Sequence, residues 1–330
     1  MCYFSYSTSR LQRGFTLLEL LVVIGLLGVI GLAATTLIID DKEIQLQDAT
    51  EKRWNQIRYA IIGDTSRTLN NEPMVSGYVA DMGRLPANLQ ELTTQGAQPA
   101  WTSTLLSTIT AGVTGSLSGG WRGPYLYRAG SAFFRDGWSN EDAVAATDAI
   151  NFGWQVSHTP VSAPVCTTVP PDCTGIEVQS LGRDNAAGGA EFSADFPLAG
   201  TNVVNANEWQ LTGATINFNV VFNKPPTADQ NNLELRIYYF EDTAVVEEIS
   251  TAKFDQATTD ASPNSEVVSI DDPLGIPLAL PMGKYAAVVW CSVQNVVYDG
   301  DCAGGSTKEP YYFTLLPSAI LPITIPWNIP

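Results

Sequence analysis

The alternation of apolar and polar positions divides the chain into a helical start and a strand-rich end. Residues 15–39 are almost continuously apolar and contain no proline. From residue 42 to residue 62, apolar positions recur at three- and four-residue steps, which is typical of a helix that packs one face on a core. The pattern therefore predicts one helix over residues 15–62. A helix of that length needs support from other structure along its course.

Residues 206–330 follow a period of two instead. Apolar and polar side chains alternate in Ile216–Phe222 and in Leu233–Tyr239, and shorter runs follow between proline, glycine and asparagine turns. Short alternating strands with turns about every dozen residues are typical of an antiparallel β-sandwich. The sequence therefore predicts an α+β chain that ends in an all-β sandwich domain.

The apolar segment 15–39 is long enough to cross a bilayer. As a helix it would extend roughly 37 Å at about 1.5 Å per residue. Arg10 and Arg13 precede it and two aspartates follow it, so we expect residues after 40 to face away from the cytoplasm. A secretory signal would have a shorter apolar core, of about 7–15 residues. A simple membrane anchor would leave Glu19 unexplained, because a carboxylate costs about 2.5–3.5 kcal/mol at the bilayer centre.

A short motif opens this apolar segment, where residues 13–19 read Arg-Gly-Phe-Thr-Leu-Leu-Glu. The motif resembles the processing site of type IV pilins and of type II secretion pseudopilins. The resemblance implies that prepilin peptidase cuts between Gly14 and Phe15 and that the new terminal amine of Phe15 is methylated. It also implies that Glu19 pairs with that amine on a neighbouring subunit, because either charge alone is costly in lipid or in a filament core. Glu19 would then set the register of assembly.

Further stretches follow in the order that they have in major pseudopilins. They are residues 78–86, 120–126, 136–140 and 180–195. The resemblance covers residues 10 to about 200 and implies the pilin fold, a long helix packed on a small antiparallel sheet. The expected divisions are a leader at 1–14, a transmembrane half-helix at 15–39, a globular head at 40–205 and an accessory sandwich at 206–330.

The glycine-rich stretch 180–195 resembles the calcium-binding loop of those pseudopilins. Calcium takes about six to eight oxygen ligands from carboxylates and backbone carbonyls. An asparagine replaces the family's glycine after the first aspartate, and Arg183 adds a cation beside the site. The alternative is a surface turn without metal, because Asp, Asn and Gly favour turns. The residues that the resemblance assigns to calcium are Leu181 (through its carbonyl), Asp184, Glu191 and Asp195.

The mature chain would keep two local cysteine pairs. Cys166 and Cys173 lie close together in a proline-rich loop, and Cys291 and Cys302 flank a Gly-Asp turn. Four cysteines can form two disulfides in three ways. One arrangement pairs residues that are already close in the sequence, so it requires no contact between distant parts of the chain. In an oxidising periplasm each disulfide would stabilise the fold by about 2–3 kcal/mol. Metal binding is the alternative, but no histidine is near and neither spacing is Cys-x-x-Cys.

Composition argues against several functions. The chain has 17 Lys and Arg against 34 Asp and Glu, a net charge of −17, which would repel nucleic acid. Its single histidine, His158, leaves little room for zinc or histidine-based catalysis. Adjacent acids at 247/248 and 271/272 point apart on a strand and match no catalytic spacing. We therefore do not expect an enzyme.

The expected function is that of a filament subunit. It would be processed at Gly14, held in the bacterial inner membrane with its carboxyl-terminal part in the periplasm, and assembled into a periplasmic or surface filament for type II secretion. The expected partners are further copies, other pilins or pseudopilins, prepilin peptidase and the inner-membrane assembly platform. The alternative is a type IV minor pilin whose sandwich binds a secreted protein or a glycan. Aromatic residues that would form such a face, or else core packing, are Tyr238, Tyr239, Trp290, Tyr311 and Tyr312.

Overall fold

The computed structural model describes most of the chain from residue 16 to residue 330. The described ranges are 16–64, 67–69, 72–73, 75–127, 134–160, 173–224, 226, 233–251, 254, 265–271, 278–303 and 307–330. For residues 31–40, 68–69, 72–73 and 160 the backbone is described but not the side chain. A long helix is followed by several β-sheets, and the carboxyl-terminal region is rich in strands. The predicted α+β class is confirmed.

The first helix, α1, runs from Leu17 to Ile62. Thr16 caps its start, and its hydroxyl accepts a hydrogen bond from the backbone N–H of Glu19 at 3.3 Å. The helix ends at Gly63, which has a φ of 74° and donates its N–H to the carbonyl of Tyr59 at 2.9 Å. A positive φ favours glycine, which explains why the helix ends where the sequence predicts.

The two halves of α1 have different surroundings. Leu17 is 80% exposed, and large apolar side chains remain exposed as far as Ile30, whereas Ile57 and Ile61 are buried. Within the residues that the structure describes, no helix is both long and apolar enough to cross a membrane. Phe15 and the side chains of residues 31–39, which belong to the predicted span, lie outside the described residues.

The buried half of α1 packs on a small antiparallel sheet. Its strands, in spatial order, are β5 (Gln155–Pro160), β6 (Cys173–Gln179) and β7 (Asn202–Val204). The indole of Trp54 donates to the carbonyl of Val178 in this sheet at 2.9 Å. The same core contains Tyr78 and Trp154, both fully buried. The elements of this first region are β1 (Thr68–Leu69), β2 (Glu72–Pro73), α2 (Tyr78–Met82), β3 (Thr102–Leu105), β4 (Ser116–Gly119), α3 (Ala145–Asn151), β5 (Gln155–Pro160), β6 (Cys173–Gln179), β7 (Asn202–Val204) and α4 (Ala206–Trp209).

The carboxyl-terminal region contains two larger sheets that share one core. The strands are β8 (Gln210–Gly213), β9 (Ile216–Phe222), β10 (Leu233–Glu241), β11 (Ala244–Ile249), β12 (Ser265–Ile270), β13 (Leu278–Pro281), β14 (Gly283–Cys291), β15 (Val296–Val297), β16 (Tyr311–Leu315) and β17 (Ile323–Trp327). One sheet has the order β11-β10-β14-β15, with β16 also paired to β14, and the other has the order β12-β9-β17. A separate pair joins β8 to β13.

One strand departs from the predicted antiparallel arrangement. Strand β17 pairs parallel to β9, with Ile323 opposite Phe218. It forms the edge of its sheet, which tolerates Pro326 because an edge strand needs hydrogen bonds on one side only. Alternation still buries Ile325 and Trp327 in the core. Periodicity fixes which face of a strand is buried but says nothing about its direction.

The hairpin of β3 and β4 packs against the carboxyl-terminal sheets. Leu106 and Leu117 belong to the core that those sheets share. Gly119 lies so close to the ring of Phe240 that a side chain at that position would collide with it. Backbone hydrogen bonds also join the two regions, from Asp242 to Met82 at 2.8 Å. The segment between β3 and β4 thus connects the two halves of the chain.

Candidate assembly and calcium-binding sites

The start of α1 presents a carboxylate within an apolar surface. Glu19 lies in the first turn of the helix, where the partial positive charge of the helix terminus favours an acidic residue. Leu17, Leu18 and Leu20 around it are all exposed. An apolar surface of this extent is normally covered by lipid or by another protein. Gly14 and Phe15, the predicted cleavage site, lie outside the described residues.

The turn at 136–140 fixes the start of the predicted calcium loop. Asp136, 2% exposed, accepts hydrogen bonds from the backbone N–H of Asn140 at 2.9 Å, from its Nδ2 at 2.8 Å and from Ser180 Oγ at 2.5 Å. Asn140 Nδ2 also donates to the carbonyl of Gly182 at 2.8 Å. Burial raises the pKa of Asp136, although the hydrogen bonds from Ser180 and Asn140 oppose that shift. The turn and the loop therefore form one hydrogen-bonded unit.

The same turn is attached to the middle of α1. Arg53 donates to the carbonyl of Arg135 at 2.6 Å and to the carbonyl of Asp136. Thr50 Oγ1 accepts a hydrogen bond from the N–H of Gly137 at 2.9 Å. A side chain at Gly137 would collide with the backbone of the helix, so glycine is required there. The helix thereby positions the turn, and the turn positions the loop.

The loop brings two of the predicted calcium residues into local hydrogen bonds. Asp195 Oδ2 accepts from the N–H of Gly188 at 3.0 Å, while its Oδ1 is buried and has no hydrogen-bond partner. Asp184 Oδ1 accepts from the N–H of Ala186 at 3.2 Å. Glu191 is exposed and has a positive φ of 53°. A buried carboxylate oxygen without a partner is costly, and a cation would relieve that cost.

Two further observations concern calcium binding at the loop 180–195. The guanidinium of Arg183 pairs with Glu43 of α1 at 2.7 Å, so the predicted competing cation is held by the helix. Among the described residues, no group of three or more His, Cys, Asp or Glu side chains is arranged to hold a metal ion. Any calcium here would therefore also need carbonyl oxygens such as that of Leu181. The buried, unpaired Oδ1 of Asp195 is a suitable cation ligand, and calcium binding stays a prediction.

The predicted disulfide between Cys291 and Cys302 is confirmed. Their Cα atoms lie 5.8 Å apart, and both residues are buried in the carboxyl-terminal core. Cys173 is also disulfide-bonded. Its predicted partner, Cys166, lies outside the described residues.

The aromatic residues proposed as a binding face are mostly core. Tyr238, Tyr239 and Trp290 are buried, and Arg236 lies over the ring of Trp290 at 4.5 Å. The segment between β3 and β4 covers Tyr238, whose hydroxyl donates to Thr110 at 2.9 Å. Tyr311 is half-buried and Tyr312 is 46% exposed. For the three buried residues, the core-packing alternative is therefore confirmed, because neighbouring elements cover them.

A polar network at the junction of the two regions has no counterpart in the sequence predictions. Arg84, 5% exposed, donates to Glu91 Oε2 at 2.8 Å and to Asp242 Oδ1 at 2.6 Å. Tyr78 donates its hydroxyl to Glu91 Oε2 at 2.5 Å, and burial raises the pKa of Tyr78 well above its usual range. The sequence indicates the turn after α2 through its glycine and proline. It contains no local signal that Asp242 contacts Arg84.

Comparison with known families finds a match at the amino-terminal end of the chain. A family model for the prokaryotic N-terminal methylation motif matches residues 9–35. The match supports a type IV pilin-like protein. Its motif implies a membrane-anchored prepilin that is cut by prepilin peptidase, exported and assembled with other pilins. The search of curated proteins and the search of solved structures each found no match.

Proposed function

We propose that this pilin-like chain is a structural subunit of a pilus or pseudopilus filament and serves type II protein secretion. Prepilin peptidase would cut after Gly14, and subunits would assemble through the apolar half of α1. The observation that carries the proposal is the position of Glu19. It lies inside the matched motif, in the first helical turn, and within an exposed apolar surface.

Assembly through this surface follows from the cost of leaving it uncovered. Once a subunit leaves the bilayer, burial of apolar area from water contributes about 25 cal/mol per Å², so close packing of neighbouring helices would be favourable there. The carboxylate of Glu19 would pair with the methylated amine of Phe15 on the next subunit, because neither charge is stable alone in an apolar filament core. Pairing at one position along the helix then fixes the stagger between subunits.

Two glycines in the exposed half of α1 support packing between helices. Nothing lies within 4 Å of a side chain built at Gly25 or at Gly28. Contacts within the chain therefore do not require glycine at either position, although each glycine costs a helix about 1 kcal/mol relative to alanine. Small residues let neighbouring helices approach closely, so glycine at these two positions would favour helix packing in a filament.

The resemblance to pseudopilins extends into the head. The turn 136–140, the loop 180–195 and α1 form one hydrogen-bonded unit. We propose that calcium binds this loop through Asp195, whose buried Oδ1 has no hydrogen-bond partner, and through backbone carbonyls such as that of Leu181. The Cys291–Cys302 disulfide supports folding in an oxidising compartment, with the head in the periplasm. The proposal includes no catalytic role.

A second candidate is a type IV minor pilin whose carboxyl-terminal β-sandwich is an adhesin or cargo-binding module. The specific observation in its favour is a groove between β4 and β16, lined by Trp101 and Tyr312. A minor pilin would share the processed amino terminus with a pseudopilin. The two candidates differ in what the carboxyl-terminal region contacts.

The proposed processing is tested by amino-terminal sequencing and intact mass of the mature chain. Co-expression with prepilin peptidase should yield a chain that begins at methylated Phe15. Without the peptidase, or in Gly14→Val, the chain should keep residues 1–14 and stay in the membrane. A mature chain that keeps its first fourteen residues, or that has lost the whole segment 15–39, would refute the filament proposal.

A further inference from the structure

A groove separates the β3–β4 hairpin from strands β14 and β16. It consists of two cavities of about 150 Å³ and about 350 Å³. Both have Trp101, Ser118, Lys284 and Tyr285 in their walls, so the two cavities adjoin, and together they are called the groove. Its size falls in the range of small-molecule sites, about 300–1,000 Å³.

The aromatic walls of the groove are held in fixed orientations. Tyr312 is 46% exposed, yet its hydroxyl donates to the carbonyl of Ser116 at 3.1 Å and accepts from the N–H of Ser116 at 3.0 Å. The guanidinium of Arg122 lies over the ring of Trp101 at 4.8 Å. Tyr285 is buried and donates its hydroxyl to the carbonyl of Pro281 at 2.7 Å. Rings that are already immobile lose little entropy when a ligand binds.

The lining combines these rings with hydroxyl groups. Ser116, Ser118 and Thr314 lie in the walls beside Trp101 and Tyr312. A sugar ring has the matching chemistry, because its C–H face packs on aromatic rings while its hydroxyl groups form hydrogen bonds. Apolar walls with a few placed polar groups are typical of sites that fix a ligand's orientation.

The charge of the groove points to an anionic ligand. Among the described residues, three charged side chains line it: Asp81, Arg122 and Lys284. Asp81 is occupied, since it pairs with Arg122 at 3.1 Å and accepts from the hydroxyl of Tyr125 at 3.0 Å. Lys284 is exposed on β14. The groove therefore carries one positive charge on a chain whose net charge is −17.

We propose that this groove binds a carboxylated saccharide, a glycan that contains uronic or sialic acid. The sugar ring packs against Tyr312 and Trp101, and the carboxylate pairs with Lys284. Such a ligand uses the aromatic walls, the hydroxyl groups and the cation together, whereas a neutral glycan leaves Lys284 unused and an acidic peptide leaves the ring walls unmatched. The site rests on the second candidate function, the adhesin, and names its ligand. Binding needs neither processing nor assembly, so a failure of this test leaves the filament proposal unaffected.

The test uses the purified full-length chain in detergent and measures equilibrium affinity for trigalacturonate and sialyllactose. Each probe is paired with its carboxyl-reduced form, which keeps the sugar but removes the charge. Lys284 is exposed, and an ion pair at an exposed lysine corresponds to about a two- to fivefold difference in affinity, so at least one acidic probe should bind about two- to fivefold tighter than its reduced form. Equal affinity for both forms, no binding of either acidic probe, or equally tight binding of polyglutamate would overturn the proposal.

Variants locate the binding in the groove. Lys284→Met removes the charge at an exposed position and should abolish the preference for the acidic form. Tyr312→Ala should weaken binding of both forms about tenfold or more. Lys52→Met, at an exposed position on α1, is the matched control and should bind like the wild type. If Tyr312→Ala unfolds, Lys284→Met alone decides, and an unchanged preference in that variant would overturn the proposal.

Discussion

The buried carboxylate of Asp136 gives the sharpest test of how the head is held together. Asp136→Ala removes the acceptor of hydrogen bonds from Asn140 and Ser180 and leaves their donors buried. A neutral donor that is left buried without a partner costs about 1–3 kcal/mol. Desolvation opposes the charged form of Asp136 and raises its pKa, so removing the charge recovers part of that cost. We therefore expect Asp136→Ala to lower the free energy of unfolding by about 2–4 kcal/mol.

The substitution Asp136→Asn removes the charge of the side chain but keeps its shape, so it measures the contribution of the charge. The amide keeps an oxygen for the backbone N–H of Asn140 but turns an NH₂ group toward Nδ2 of Asn140, so about one hydrogen bond is lost. The expected destabilisation is about 1–3 kcal/mol. Urea unfolding measures both values, and hydrogen exchange over residues 180–195 should rise in both variants. Asp48→Ala, exposed on α1, is the control and should stay within about 0.5 kcal/mol of the wild type.

The pH dependence of stability gives an independent check. Because burial raises the pKa of Asp136, the folded chain keeps this proton at pH values where the unfolded chain has released it. The contribution of Asp136 to stability should fall as the pH rises from the unfolded pKa, about 3.9, through the higher folded pKa. Asp136→Asn should flatten that part of the profile. An unchanged profile, or a loss below about 0.5 kcal/mol in Asp136→Ala, would refute the reasoning.

Three further substitutions test the assembly site, the calcium loop and the disulfide. Glu19→Val should leave cleavage by prepilin peptidase intact yet abolish filaments in electron micrographs, and normal filaments would exclude the register role. Asp195→Asn should remove any calcium-dependent rise in melting temperature, whereas a wild type whose melting temperature ignores both calcium and chelator would exclude the metal. Cys302→Ser opens a loop of sequence separation 11 and should cost about 2–3 kcal/mol relative to the oxidised wild type, measured by urea unfolding. The reduced wild type also loses the disulfide of Cys173 and should lose at least as much. Equal stability of the oxidised and reduced wild type would contradict this estimate.

Local patterns predicted the elements of the fold well. The helix ends at Gly63 because glycine there adopts a positive φ, and the sequence shows that glycine directly. The alternation in Ile216–Phe222 gave the buried face of β9, since inward and outward side chains alternate along any strand. These features depend on neighbours in the sequence, and such neighbours are visible without a structure.

The features that the sequence did not show depend on distant residues. Tyr312 is held by Ser116, which lies 196 positions earlier, so no local pattern indicates that this ring is fixed and half exposed. Tyr238 was predicted as part of a binding face or as core, and only its contact with Thr110 decides for the core. In the calcium loop, the resemblance indicated Asp195, but its unpaired oxygen appears only in three dimensions.

The junction between the two regions has a mechanical consequence. Backbone hydrogen bonds from Asp242 to Met82 at 2.8 Å and from Met282 to Trp209 at 2.7 Å cross it. A pulling force along a filament would act first on α1, and it would be transmitted to the carboxyl-terminal strands through these hydrogen bonds. Because Trp101 and Tyr312 stand on opposite sides of the groove, a bound glycan would bridge the junction and share the pulling force. Single-molecule stretching should then show that the ligand raises the rupture force of this boundary.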